Sequence, residues 1–442
     1  MTPERFDAIT SLYRRLRIAV VGDFCLDRYL EIDPARKEVS IETGLAVHNV
    51  VRIRSQPGGA GTILNNLAAL GVAELFPAGF AGDDGEGFEL QRALASLPGV
   101  NTEAFFLTAE RRTFTYTKPL LVSPRQPPRE LNRLDCKNWS PTPASLQRLL
   151  VKALLKLARR VDAIIVLDQV DVPETGVITQ RLLEAIRAIK RERPKLLILA
   201  DSRRGVQGYP SVCLKMNRAE LSRLAGKAGL VPVREVGPTA AALAQKTKNY
   251  CFVTLAEKGI LGAGPEGAVE RLAALPVRGK IDIVGAGDCV SANLTAALAA
   301  GANLREALQL ANAASSVVLH KLGTTGTASV AEIRELLPKP MDVRAALLDV
   351  INRGAAMTSD MTRQVVASFL RTSPSRPDAV HFSPRERDLL EFVAKGHSNK
   401  EIADQVQLSV ETVRTYLKRL YEKMHVHSRT EAAVRYIHSK SS

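Results

Sequence analysis

The chain has 442 residues, 45% of them hydrophobic and 24% charged, with a formal net charge of +15. That length exceeds what one hydrophobic core usually serves, so two or three domains are expected, and the composition excludes a fibrous or disordered chain. Its five cysteines lie far apart with no CxxC pair, which argues against zinc and disulfides, and the apolar run before Asp23 is too short for a signal peptide or membrane span. A reducing cytoplasm and no membrane are therefore expected.

The surplus charge fits an anionic partner, but residues 372–442 carry 12 Lys+Arg against 9 Asp+Glu, so charge alone does not localise a DNA site. Short apolar runs at 18–23, 163–168, 196–201 and 251–255 are expected to be buried strands, and the stretches 146–158 and 178–190 between them have helical periodicity. Such alternation builds an α/β fold with a mostly parallel sheet covered on both faces. Three of the runs end in an aspartate (Asp23, Asp168, Asp201), and ligands of such sheets sit beyond the carboxyl ends of the strands. From 31 to 54 and 113 to 122, β-branched and polar residues mix without a helical period, which predicts a small extra sheet.

VGDFCLD (21–27) places Asp23 and Asp27 past the first strand, where a carboxylate can accept two hydroxyl hydrogen bonds from a sugar. PGGAGTILNNLAALG (57–71) is a glycine turn running into a helix, and Gly58 and Gly59 let the backbone approach a polyol. Lys118 and Arg133 are candidates for a substrate phosphate, with a solvated surface charge as the plainer reading of both. Asn217 and Glu220 follow a strand, and a glutamate so placed can hold Mg²⁺ through water.

The sharpest motif is DIVGAGD (282–288), followed by a helical run. The amides of Gly285, Ala286 and Gly287 would face an anion at a helix N-terminus, where the helix dipole also favours negative charge. Asp288 would take a proton from a sugar hydroxyl as that oxygen attacks the γ-phosphorus of ATP. The plainer reading is an aspartate N-cap after a glycine turn.

In this order the segments resemble the ribokinase or PfkB family of sugar kinases over about residues 17–335, most closely its heptose-phosphate kinase branch. The resemblance implies ATP and Mg²⁺, Asp288 as catalytic base, and Gly285, Ala286 and Gly287 as the anion hole. It implies Asn217 and Glu220 on the nucleotide and magnesium, and Asp27, Gly58 and Gly59 on the sugar or sugar phosphate. Asn312 and Gly323, in LANAASSVVLHKLGTTG, fall on the adenine side, and Thr62 occupies a substrate position where asparagine is usual. The resemblance makes the small extra sheet a lid. The HxGH-type motif of an adenylyltransferase module is absent from this chain.

Past Leu337 come PKP, a helical stretch to about Leu370 and the linker-like TSPSRPD, dividing the chain into 1–340, 341–380 and 381–442. Capping boxes at Ser383–Glu386, Ser398–Glu401 and Ser428–Glu431, a cap at Ser409 and a C′ glycine at Gly396 predict four short helices. Val413, Leu417, Leu420 and Met424 share one face of the third, and Arg414, Lys418 and Tyr421 another. On spacing alone a bundle with a solvated charged face suffices.

Residues 382–437 closely resemble the LuxR/GerE-type helix-turn-helix, with His425 and His427 as loop residues. That likeness implies an all-α module on double-stranded DNA, with a recognition helix from about Val410 to Lys423. It places Lys400 and Thr412 on phosphates, and Val413, Arg414 and Lys418 on base edges. A homodimer would engage two half-sites. Two readings follow: a working sugar kinase that also binds DNA, or a transcription regulator whose weakly active or inactive kinase fold senses sugar or nucleotide.

Overall fold

The computed structural model describes every residue except 124–127, 324, 338–382, 395, 425, 427, 428, 430, 431, 434, 435 and 437–442. The helix and linker expected over 341–380, the Ser428–Glu431 box, His425 and His427 thus lie outside the described residues. Two units separate, Met1–Lys339 and Pro340–Ser442.

In the first unit the elements run α1 (Pro3–Thr10), β1 (Arg17–Gly22), β2 (Phe24–Val39), β3 (Ala46–Gly59), α2 (Ala60–Ala69), β4 (Glu74–Gly82), α3 (Gly85–Ala95), β5 (Phe105–Thr108), β6 (Phe114–Leu121), β7 (Arg129–Glu130) and β8 (Leu134–Cys136). There follow α4 (Ala144–Leu157), β9 (Ala163–Asp168), α5 (Gln180–Glu192), β10 (Leu197–Ser202), β11 (Cys213–Asn217), α6 (Arg218–Leu224), α7 (Val233–Thr247), β12 (Cys251–Thr254), β13 (Ile260–Ala263), β14 (Val269–Leu272), α8 (Ala286–Ala299), α9 (Leu304–Leu319) and α10 (Val330–Leu336). Nine strands form one sheet in the order β14-β13-β12-β11-β10-β9-β1-β4-β5. Pairing is parallel except β12–β13 and β13–β14.

Alternation along each strand divides the core between the two faces. Ile18, Val20, Ile165 and Leu199 pack with Ile63, Leu67, Leu294 and Leu308 of α2, α8 and α9. Ala19, Val21, Ile164, Val166 and Ile198 pack with Leu150, Leu154, Ile186 and Ala240 of α4, α5 and α7. Because both faces are covered, β1 and β9 are almost wholly apolar. From the β1–β9 pair the connections diverge, one way to β4 and the other to β10, which opens the crevice where ligands of such sheets bind.

The extra sheet is β3-β2-β6-β7, with β8 on β6, and β2 and β6 are parallel. Its β2–β3 arm carries exposed Val39, Ile41, Leu45, Val50, Val51 and Ile53.

In the second unit are α11 (Pro384–Ala394), α12 (Asn399–Val406) and α13 (Val410–Lys423), and Arg429, Ala432, Ala433 and Tyr436 have helical backbone. Ser398 and Glu401 form a reciprocal capping box, and Ser409 caps α13 through Thr412 N–H at 3.1 Å. Leu389, Leu390, Ile402, Val413, Leu417, Leu420 and Met424 make the core.

The β1–β9 junction yields a stability prediction. A Cβ on Gly22 would stand 2.2 Å from the carbonyl oxygen of Leu167. Gly22→Ala should therefore cost about 1–3 kcal/mol by forcing the two strands apart; urea unfolding measures it, and an unchanged midpoint would refute the packing argument.

Candidate functional site

The strand ends place Asp23, Asp168, Asp201 and Asn217 along one edge of the sheet. Asp288 joins them from the first turn of α8, whose N-cap is Gly285 at φ 80° with no side-chain capping bond. The plainer reading of Asp288 as an N-cap thus fails, because glycine holds that position and leaves the carboxylate uncommitted. Burial pushes the Asp288 pKa up to about 7; the Lys215 ammonium opposes this, and the carboxylates of Asp201 and Asp27 add to it.

Lys215 is a residue of the candidate site that the sequence reading missed. It is buried on β11, with Nζ 2.6 Å from Asp201 Oδ2 and 3.0 Å from where a Cβ on Gly287 would stand. Ser291 Oγ donates to the same Asp201 oxygen at 3.2 Å. The signal was present in CLKMN, since a lysine inside an apolar strand needs a buried partner. Gly285 is fixed by space as well as by φ, because a Cβ there would stand 2.4 Å from Thr325 Cγ2.

On the sugar side, Asp27 of β2 is buried, and burial raises its pKa against the pull of Lys118. Lys118 is not a solvated surface charge: it is buried on β6, its Nζ 3.5 Å from Asp27 Oδ1 and 4.8 Å from the centroid of the Tyr29 ring. Register explains this, since β6 pairs Lys118 with Tyr29 and Tyr116 with Asp27. Arg133 does keep exposure, paired with Asp135 at 2.6 Å over the Tyr116 ring.

A Cβ on Gly58 would come within 2.7 Å of Asp27 Oδ2, and one on Gly59, at φ 58°, within 2.5 Å of the Asp23 carbonyl oxygen. Thr62 is buried, with Cγ2 3.4 Å from where a Gly285 Cβ would stand. Gln56, opposite Asp27, donates to Thr325 Oγ1 at 2.5 Å. The glycine turn and the anion cradle therefore meet.

Asp23 corrects the expectation of a sugar ligand. Its Oδ2 accepts from Gln169 N–H at 2.8 Å and its Oδ1 from Val177 N–H at 2.6 Å, so it anchors the 169–177 loop. Burial, then the neighbouring Asp168 carboxylate, push its pKa up.

On the nucleotide side, Asn217 and Glu220 form a reciprocal capping box that starts α6, with bonds of 2.9 and 2.7 Å. Asn312 Nδ2 donates to the Ala273 carbonyl at 2.8 Å and so braces a loop, while Gly323, at φ 70°, borders open space. Exposed Ile281, Ile283, Val284 and Leu322 flank the cradle, tied to α9 by the Asp282 N–H to Leu319 bond of 2.8 Å. Among the described residues, no three His, Cys, Asp or Glu side chains gather to hold a metal ion, and no helix is long and apolar enough to cross a membrane.

In the second unit, Arg414 and Lys418 are exposed on α13 and Lys400 on α12. Arg414 lies 3.2 Å from Glu411, and Thr412 Oγ1 is 2.7 Å from Ser409 Oγ. Val413 corrects the recognition expectation: it is fully buried in the helix core and cannot reach a base edge. Tyr421, half-buried against that core, does not join the basic face either.

The model described as pfkB family carbohydrate kinase matches residues 16–331, and that of bacterial regulatory proteins, luxR family, matches 380–436. Relatives named bifunctional protein HldE include one from Bradyrhizobium sp. (strain ORS 278), 30% identical over 335 residues, and one from Pelobacter propionicus, 31% over 331. These matches cover 75% and 74% of this chain but 66% and 64% of the relatives. Escherichia coli phosphofructokinase-2 in complex with potassium superposes with a TM-score of 0.56 at 19% identity, over 73% of this chain and 98% of that one. Arabidopsis thaliana ribokinase complexed with ribose and ATP does so at 0.54 and 18%, over 73% and 98%; at such identities the likeness is one of fold. Through residues 16–331 the chain belongs to the pfkB family of carbohydrate kinases, and it carries a luxR-type domain at its C-terminal end.

Proposed function

We propose that the first unit transfers the γ-phosphoryl group of ATP to a hydroxyl of a sugar or sugar phosphate, and that the second unit binds double-stranded DNA. The observation that carries the first half is the uncommitted carboxylate of Asp288, raised to about 7, beside Lys215 and a glycine cradle. A base with its pKa near the working pH is suited to proton transfer, whereas a site that only sensed sugar has no chemical need of one. Asp27 and the Gly58–Gly59 turn would hold the acceptor, and Thr62 would border it. Asp288 would take the hydroxyl proton as the oxygen attacks, while Lys215 and the amides of Gly285, Ala286 and Gly287 offset charge developing on the phosphoryl oxygens. The residues fit Mg²⁺ as an ion that keeps most of its waters: Glu220 commits one oxygen to Asn217 N–H, and the metal would screen the phosphates. Asn312 and Gly323 would border the adenine side.

For the second half, Lys400 and Thr412 would meet phosphates, and Arg414 and Lys418 base edges. A module this small makes few contacts, so a homodimer on an inverted repeat is the expected binding form. The exposed apolar β2–β3 arm supports pairing of two copies. Five free cysteines suit a reducing cytoplasm.

Asp288→Asn should lower turnover about 10²-fold or more against a panel of sugars and sugar phosphates, because an amide cannot accept the proton. Near-normal turnover would overturn the assignment. Only the ionised carboxylate acts, so kcat/KM should climb as pH rises through about 7 and level off above it. Lys215 holds that pKa down, so in Lys215→Met the acid limb should move to higher pH while KM for ATP rises; a limb that stays in place would show that Lys215 does not act on Asp288.

On DNA, Arg414→Ala should cost about 1–3 kcal/mol on the specific site and relax preference at one position. Lys400→Ala should weaken all sequences alike and reduce the salt slope by about one. Fluorescence anisotropy on specific and scrambled duplexes separates the two, and an equal loss on both duplexes for Arg414→Ala would refute base recognition.

A further inference from the structure

Most of the surplus positive charge lies outside the helix-turn-helix. Residues 372–442 have 12 basic against 9 acidic side chains, and the remaining chain has 49 against 37, a surplus of 12. Within that remainder, 144–160 and 180–195, which are α4, α5 and the turns that end them, hold eleven Lys or Arg and two Glu, a surplus of nine.

The two helices lie side by side on one face of the sheet, with Leu146, Leu150, Leu154 and Leu157 packed into the same core as Leu182, Leu183, Ile186 and Ile189. Burial of those positions turns the cations outward. Arg148 and Lys152 on α4, Arg159 in the turn that ends it, and Arg181, Arg191 and Lys195 on α5 and its end, are exposed and have no acidic partner among the described residues. Glu103 takes Lys156 and Arg160. Arg187 and Lys190 bond only to backbone carbonyls, which leaves their charge in place.

The spacing sets this face apart from an ordinary solvated one. Arg148, Lys152 and Lys156 follow each other at i, i+4 on α4, as do Arg187 and Arg191 on α5, and like charges at that spacing destabilise a helix by about 0.2–0.5 kcal/mol a pair. Surfaces shaped only by solubility mix the two signs. A polyanion relieves the repulsion. From Arg148 to Lys156 the α4 row runs about 12 Å along the helix, a length over which duplex DNA presents roughly seven phosphates.

We propose that the α4–α5 face is a second DNA-contacting surface, which binds the phosphate backbone without reading sequence. This rests on the DNA-binding reading of the C-terminal unit, whose small surplus supplies few phosphate contacts of its own. Contacts of this kind release counterions, so each contributes about 0.9 to the dependence of log K on log salt.

The test uses the full chain with Arg148, Lys152, Arg159, Arg181, Arg191 and Lys195 all changed to Gln, and a second variant with only the three α4 changes in case the first fails to fold. Anisotropy on specific and scrambled duplexes, from low to high salt, should show a slope shallower by about two units or more for the six-residue variant and by at least one for the α4 variant. Affinity at low salt should fall about tenfold or more on both duplexes, with sugar-kinase turnover unchanged. A wild-type slope in the folded variants overturns the proposal and leaves the C-terminal reading intact. Absence of any duplex binding by the wild-type chain overturns both. Loss of binding to vesicles of anionic phospholipid, with duplex binding unaltered, overturns it in favour of a membrane surface.

Discussion

One buried ammonium holds the kinase site together. Lys215 Nζ sits 2.6 Å from Asp201, below the glycine cradle and within the electrostatic reach of Asp288 and Glu220. Burial pushes the carboxyls of Asp288 and Glu220 up, and the Lys215 cation beside them opposes that rise. The sheet makes the arrangement possible, because parallel strands end on one edge and bring Asp201 and Lys215 together from adjacent strands. Ser291, one turn beyond Asp288 in α8, then ties that helix to the pair.

Several of the candidate site's motifs also hold local structure. Asn217 and Glu220 start α6 by capping one another, which fixes the carboxylate that faces the crevice. Gly58 and Gly59 leave room for Asp27 and for the Asp23 carbonyl, and the same openness is what a polyol needs. Gln56 reaches from the strand opposite Asp27 to Thr325, which touches the cradle glycine Gly285. The turn at Gly58–Gly59 and the turn at Gly285 are thus linked through Gln56 and Thr325.

Much of this was legible in the sequence. The strands at 18–23 and 163–168 stood out because a strand buried on both faces is a continuous apolar run, and the C-terminal caps at Ser398 and Ser409 stood out because capping is local chemistry. What stayed hidden depends on distant partners. Asp23 and Asp27 look alike in VGDFCLD, yet the 169–177 loop claims one and Lys118 pairs with the other. Lys118 looked solvated because its partners lie on β2, which only the lid's register brings alongside. Val413 shows the reverse failure: its spacing from Leu417 and Leu420 already marked it as core, and periodicity was a better guide than the recognition-helix template.

The central place of β1 also has a consequence in time. Ile18 pairs with Leu75 on one side and with Ala163 on the other, so the first strand to be synthesised must wait for β9 before both its edges are covered. At about 5–20 residues per second, roughly 7 to 30 s separate the emergence of β1 from that of β9, during which an apolar strand edge waits on the ribosome. Long-range parallel pairing of this kind folds slowly and exposes the nascent chain to aggregation. Lys215 and Asp288 arrive later still, and the helices of the luxR-type unit last. Vectorial synthesis therefore gives the sheet its chance to close before the C-terminal unit exists.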